Sequence, residues 1–397
     1  MTEPRGAIIR ADHWLAQTMA AVPRFVVFLS VVLGIWTLEH LYVGWRLASL
    51  PLLTAPGARR ALIIVLAIAF ASYPLGRMFF HWGLRGPGRV IEYAGAVWMG
   101  TLFFLLAALL VVDLVTLFGF VLRPWVPPLR TIAAAVALGA ALAAWVGGLV
   151  PPKIVKLEVA LPDLPPAADK TVLVHLSDVH LGTLLGRRHL QTIIDRVQAQ
   201  KPDLVAVTGD LVDADGGVVE ALVPQMRGLT APGGVFAVLG NHEYYAGRER
   251  SRALLADAGF TVLDNAAFEV TPGLWIAGVP DARGSRQTGV REDDLEAALA
   301  EVPEGAAVVL LQHSPENEEA TAAAGVGLML DGHTHGGQIW PFHYLVHRAY
   351  PHMSGVHKVG AMTQIVSRGA GHLGPPMRLF ARSEIHRITL RSPDQPE

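Results

Sequence analysis

Residues 171–182 read TVLVHLSDVHLG, a short apolar run, TVLVHLS (171–177), that breaks into an acid and an imidazole, Asp178 and His180. An apolar strand that runs directly into ligand-type side chains is what a functional loop at a sheet edge requires. The pattern recurs downstream. DLVAVTG (203–209) leads into Asp210 and Asp213, and GVFAVLG (234–240) into Asn241, His242 and Glu243. The run 306–311 leads into His313, and the run 326–330 into His333 and His335. Between them, helical spacing covers Arg187–Ala199, Val218–Gly228, Arg248–Ala258 and Glu292–Ala300. Further short strands are expected near 261–263, 268–271, 274–279, 362–367 and 384–390. Strands alternating with helices imply an α/β layered fold with the helices outside. Five polar loops following five strands can then converge at one edge of the sheet.

The donors are Asp, His and Asn, and the chain has no cysteine, so disulfides and thiolate metal sites are excluded. Nitrogen and oxygen donors suit Mn, Fe, Zn or a similar divalent ion. Each residue alone has an ordinary alternative: Asp210 as a helix cap, Asn241 as a turn residue, Asp178 and His180 as a polar loop. Five coincident strand ends of compatible ligand type favour a metal site instead. Seven ligands crowd one ion, whereas two ions sharing an aspartate are the usual device for phosphoester hydrolysis. In DGHTHGGQIW (331–340) the two histidines would share one face of a regular strand. A turn at the flanking glycines would let them reach different ions and let the backbone pass close to a crowded site.

The remainder of the chain is of another kind. The 397 residues are 52% hydrophobic and 17% charged, with a mean hydropathy of +0.38, more apolar than an ordinary soluble protein. Tyr93–Val112 and Thr131–Pro152 are free of charge, and two further apolar runs, Phe25–Trp45 and Ala61–Phe80, precede them. A bilayer core takes about 20 apolar helical residues, so four transmembrane helices are expected. Lys and Arg in the loops number eight on the side of the N-terminus and the C-terminal domain, against five opposite. That count favours a cytoplasmic catalytic domain. Glu39, His40 and Asp113 fall toward span ends, where water is expected to reach them. Residues 1–152 hold 11 Lys+Arg and 5 Asp+Glu, and the remainder 21 and 29. An acidic soluble part does not suit a nucleic-acid partner. The expected organisation is a four-helix transmembrane region over 1–150, a proline-bounded linker with one edge strand over 151–170, and a catalytic domain over 171–397.

Together HLSDVHLG, VTGDLVD, LGNHEYY, LQHSPE and DGHTHGGQ resemble the calcineurin-like metallophosphoesterase superfamily, in family order and over roughly 155–397. SRGAGHLGPPMRL…EI resembles a narrower bacterial membrane-associated branch related to the UDP-2,3-diacylglucosamine hydrolases. The four spans lie outside the resemblance. It implies a four-layered α/β/β/α sandwich with a dinuclear centre. Asp178, His180 and His335 would hold one divalent ion, Asn241, His313 and His333 the other, and Asp210 would bridge. His242 would stand outside the ligands and meet the phosphate or protonate the leaving oxygen, with Asp213 orienting it. The implied activity is hydrolysis of a phosphodiester, pyrophosphate or phosphomonoester by metal-bound hydroxide, at the bacterial inner membrane.

Loop 339–358, IWPFHYLVHRAYPHMSGVHK, mixes aromatic, apolar and basic residues directly after the metal histidines. It is expected either to lean on the bilayer and guide a lipid phosphate or to be a packed cover loop. Arg187, Arg188, Arg368 and Arg378 are candidate phosphate or headgroup contacts. The competing functions are a membrane-tethered phosphatase for a soluble substrate, and a transport or scaffold protein with a regulatory metal domain.

Overall fold

The computed structural model describes residues 26–27, 29–213, 216–288 and 293–393. The chain divides into two compact units, Met1–Ala141 and Leu142–Glu397.

The described part of the first unit is helical. Helix α1 covers 29–47, α2 Pro56–His81, α3 Arg85–Val115, and α4 Val126–Leu149, which runs on into the second unit. Among the described residues, Pro56–His81, Arg85–Val115 and Arg123–Leu149 are long and apolar enough to cross a membrane. That makes three helices where four were expected. The remaining expected span, Phe25–Trp45, begins outside the described residues, and its described part is helical. Helix α3 starts before the charge-free run, so it carries a buried Glu92 paired with Arg77 at 3.3 Å.

The polar groups of this unit are not left to water. Asp113 is fully buried. It meets Arg46 Nε at 2.5 Å and Arg130 Nη2 at 2.9 Å, and it accepts from the Tyr42 hydroxyl at 2.7 Å. His40 is buried between Trp36, whose carbonyl lies 2.7 Å from Nδ1, and Trp98, whose indole donates to Nε2 at 2.9 Å. The expectation of solvated span ends is thus overturned for both residues. A charge in an apolar surround is kept by enclosing it with partners.

The second unit holds two six-stranded sheets. Strands β1 (Lys153–Ala160), β12 (Glu384–Arg391), β2 (Val172–Leu176), β3 (Leu204–Thr208), β4 (Val235–Val238) and β5 (Thr261–Val262) form one, in that order. The other runs β10 (Gly355–Val359), β11 (Met362–Val366), β9 (Leu328–Asp331), β8 (Ala307–Leu311), β7 (Leu274–Gly278), β6 (Ala266–Thr271). Alternation along each strand builds the layers. Leu173, Leu204, Ala206 and Phe236 of the first sheet pack with Ile276, Val309, Leu311 and Leu330 of the second. The opposite faces are covered by helices. Val174, Val205 and Val207 meet Leu190, Ile193 and Val197 of α5 (Arg187–Gln198). Val308, Leu310 and Met329 meet Ala298 and Ala322. This is the α/β/β/α sandwich.

Two departures from expectation have local causes. Val218–Gly228 is broken into Gly216–Val219, a 3-10 turn at Glu220–Leu222, and Val223–Met226, with Pro224 in the first turn of the last piece. Loop 339–358 is not a loop throughout. It contains a helix, His343–Ala349, and most of β10, which pairs antiparallel with β11. Strands β2, β3 and β4 are mutually parallel, as are β7, β8 and β9. The carboxyl ends of β2, β3, β4, β8 and β9 therefore carry the polar loops.

Replacing Asp113 by leucine would leave two buried guanidinium groups without a counter-ion. The expected cost is about 3–5 kcal/mol, measured as a lowered thermal midpoint of the full chain in detergent relative to Glu304→Leu in an exposed turn.

Candidate metal centre

The polar loops after β2, β3 and β9 leave their strands abruptly. Asp178, His180, Asp210, His333 and His335 all have positive φ, between 50° and 69°. That conformation disfavours most side chains and turns consecutive residues toward one point. Gly332 shows how tight the packing is: a Cβ there would lie 1.9 Å from Ser177 Oγ and 2.3 Å from Asp178 Oδ2.

Three groups of side chains present ligand atoms within 4.8 Å of one another: Asp178, His180 and His335; Asp210, His313 and His333; and His180, Asp210 and His242. His180 Nε2 lies 3.0 Å from His335 Nε2, and His335 Nε2 lies 3.4 Å from Asp178 Oδ1. On the other side, His313 Nε2 lies 3.2 Å from His333 Nδ1, 3.2 Å from Asn241 Oδ1 and 3.1 Å from Asp210 Oδ2. His333 and His335 thus belong to different halves of the cluster, because the chain turns between them rather than continuing as a strand.

The donor set fits divalent ions. Burial keeps His180 and His333 neutral, lowering them to about 4 and about 3, and holds His335 well below its usual value. Neutral imidazole is the form that binds a metal. Burial opposes charge on His313 too, yet the Asp210 carboxylate outweighs it and raises His313 well above its usual range. Facing imidazole nitrogens and carboxylate oxygens, buried together, have more lone pairs than protons to share. A cation answers that excess.

His242 is placed differently. Its Nδ1 is 2.9 Å from Asp213 Oδ1, and its ring stands 4.7 Å from that of His180. Burial would lower its pKa, but the Asp213 hydrogen bond and the charges of Asp210 and Asp213 raise it to about 9. Its backbone N–H donates to Asp210 Oδ1 at 2.9 Å.

The candidate arginines separate. Arg368 packs along the histidine turn: a Cβ on Gly336 would lie 2.9 Å from Arg368 Cγ. Arg187 donates to the Ala221 carbonyl, and Arg188 is exposed on the same turn of α5, so neither is drawn into the histidine cluster. Arg378 is buried and donates to the carbonyls of Gly371, His335 and Ala381. Its guanidinium is consumed inside the protein, which corrects its reading as a headgroup contact.

Glu243 is a residue whose role the sequence reading misses. Fully buried, its carboxylate accepts from the backbone N–H groups of Asp210 and Gly240 at 2.8 Å and of Val212 at 2.9 Å. It ties the loop after β3 to the loop after β4. The available signal is its place three residues into the short helix Asn241–Ala246, where a glutamate turns back to cap the helix start.

The calcineurin-like phosphoesterase family model matches residues 171–337. An uncharacterized metallophosphoesterase of Aquifex aeolicus is 36% identical over 230 residues, 57% of this chain and 87% of that protein. The chain belongs to the calcineurin-like metallophosphoesterases. An uncharacterized metallophosphoesterase of Helicobacter pylori is 35% identical over 251 residues, 62% of this chain and 66% of that one. A Danio rerio relative is named a transmembrane protein with metallophosphoesterase domain, and is 33% identical over 253 residues, 61% of this chain and 58% of that one. With these last two relatives, the match spans less than two thirds of the relative's length. Within this metallophosphoesterase, Glu243→Gln would set an amide NH₂ against backbone donors. Leaving such groups unpaired costs about 1–3 kcal/mol, and a lowered metal content on elemental analysis of the purified protein is the expected result.

Proposed function

We propose that this metallophosphoesterase is a membrane-anchored hydrolase that uses two divalent ions to cleave a phosphodiester, pyrophosphate or phosphomonoester, with a lipid-linked phosphate as its substrate. The observation that carries the reading is the position of Asp210, whose Oδ2 stands 3.7 Å from His180 Nε2 and 3.1 Å from His313 Nε2. One carboxylate thereby serves both halves of the cluster. Asp178, His180 and His335 would hold one ion, and Asn241, His313 and His333 the other. Bound there, the ions would supply charge neutralisation at the phosphoryl oxygens and a water acidic enough to attack phosphorus.

The remaining tasks fall to side chains. Asp213 holds the His242 imidazole by Nδ1 and favours its charged form, leaving Nε2 to meet a phosphoryl or leaving-group oxygen. Arg368, beside the histidine turn, is the best placed of the candidate arginines to pair with a phosphate oxygen. The three long apolar helices support anchoring, and the domain's side of the membrane is proposed to be cytoplasmic from the loop arginine count.

The reading is tested by purifying the full chain in detergent, measuring bound metals, and assaying phosphate release from generic phosphodiesters and from phospholipids. A protein with neither metal nor hydrolysis sinks it. Asp210→Asn is expected to empty the centre and abolish turnover. His242→Ala should keep its metals while turnover drops by about 10²–10⁴-fold, the usual contribution of a positioned acid. Full activity of His242→Ala on every substrate would remove that residue from the chemistry.

A further inference from the structure

The second unit exposes large apolar side chains in the loops that follow the cluster's histidines. Trp340 is 43% exposed, Phe342 46%, Tyr344 64%, Leu345 65%, Leu373 42% and Phe380 82%. They come from two loops that are sewn together. The Gln338 side chain donates to the carbonyls of Leu373 and Pro375 and accepts from the Leu373 N–H. The Leu379 N–H donates to the Gln338 carbonyl at 3.0 Å, and the Trp340 and Phe380 rings lie 6.4 Å apart. The first loop starts at the ligand candidate His335. Gly337, with φ +73°, lets the His343 backbone come so close that a Cβ would lie 2.4 Å from its Cα. The patch thus begins on the chain segment that directly follows the cluster's last histidine. Exposed Arg348 and Arg382 flank it.

The same second loop is fastened to the end of helix α4. The Arg378 N–H donates to the Ala144 carbonyl at 2.7 Å. Gly147 and Gly148 allow the contact: a Cβ on either would stand 2.3 Å from the carbonyl oxygens of Arg378 and Pro376 respectively. These last turns of α4 themselves expose Leu142, Val146 and Leu149. The last turns of an apolar helix and an aromatic–basic platform are therefore joined within one unit.

We infer that the platform formed by residues 340–345 and 373–380 is a membrane-docking surface, and that its occupant is the lipid leaflet from which α4 emerges. Aromatic side chains with basic neighbours are the composition that settles at a bilayer interface, and an exposed apolar patch of this kind marks an interaction site. The inference rests on the membrane-anchored reading above and deepens it. Docking holds the rim of the cluster against the headgroups, so the phosphate it meets is carried by a lipid of that leaflet.

The absence of cysteine makes a direct test possible. Single cysteines at Tyr344, Phe380, Leu138 and Glu304 of the full chain are labelled with an environment-sensitive fluorophore. The protein is reconstituted into phosphatidylcholine–phosphatidylglycerol vesicles containing lipids spin-labelled near the headgroup or deep in the chain. Leu138 lies within α4, and Glu304 lies before β8, at the end of that strand away from the cluster. The expected result is quenching of Tyr344 and Phe380 by the shallow quencher, of Leu138 by the deep one, and of Glu304 by neither. Quenching at Leu138 without quenching at Tyr344 or Phe380 overturns the docking surface and leaves the anchor intact. No quenching at Leu138 overturns both. Because the readout is independent of turnover, failed hydrolysis with shallow quenching retained would count against the enzymatic reading alone.

Discussion

Asp210 carries the arrangement on which everything else depends. It is a buried carboxylate, and its two oxygens are committed in different directions. Oδ1 takes the His242 backbone N–H, while Oδ2 faces histidines from both halves of the cluster. To stand there it adopts a positive φ, and its own N–H is captured by Glu243. Burial alone would push its proton affinity up, yet the charge and hydrogen bond of His313 pull it well below the usual carboxylate range. The negative charge is thus retained in an apolar setting by neighbours brought in from the ends of β2, β4 and β8. A sheet edge gathering parallel strand ends from two packed sheets is the simplest architecture that can deliver so many neighbours to one oxygen.

That logic explains which parts can be read from sequence. Strand ends are legible at Asp178, Asp210, Asn241, His313 and His333 because apolar runs stop there and ligand chemistry begins. The sandwich follows from the alternation of strands and helices, and the family resemblance supplies its four layers. The helix His343–Ala349 and strand β10 are not legible, since aromatic and basic residues there carry no clean period. Their order comes instead from pairing with β11 and from contacts around Gly337. Glu243 hides as one acid among many, and its importance lies in three backbone donors that only the fold assembles. Arg378 misleads for the opposite reason. A lone arginine near a metal motif suggests a phosphate contact, but carbonyls from three residues claim it.

In the helical unit, position along an apolar run says nothing about what surrounds a side chain. Asp113 and His40 sit toward span ends in sequence, yet both are enclosed. Two arginines and a tyrosine surround the one, and two tryptophans flank the other. Most of these partners arrive from other helices, distant in sequence, and only Trp36 lies on the same helix as the group it meets.

Helix α4 ends at Leu149 and β1 begins at Lys153, whose N–H immediately pairs with the Ser383 carbonyl. Three residues are too few to act as a leash. On a membrane-anchored chain, the catalytic domain would search an area rather than a volume. Its encounter rate would then follow the surface density of substrate in the leaflet, not the bulk concentration, and a substrate dissolved in water would gain nothing from the anchor.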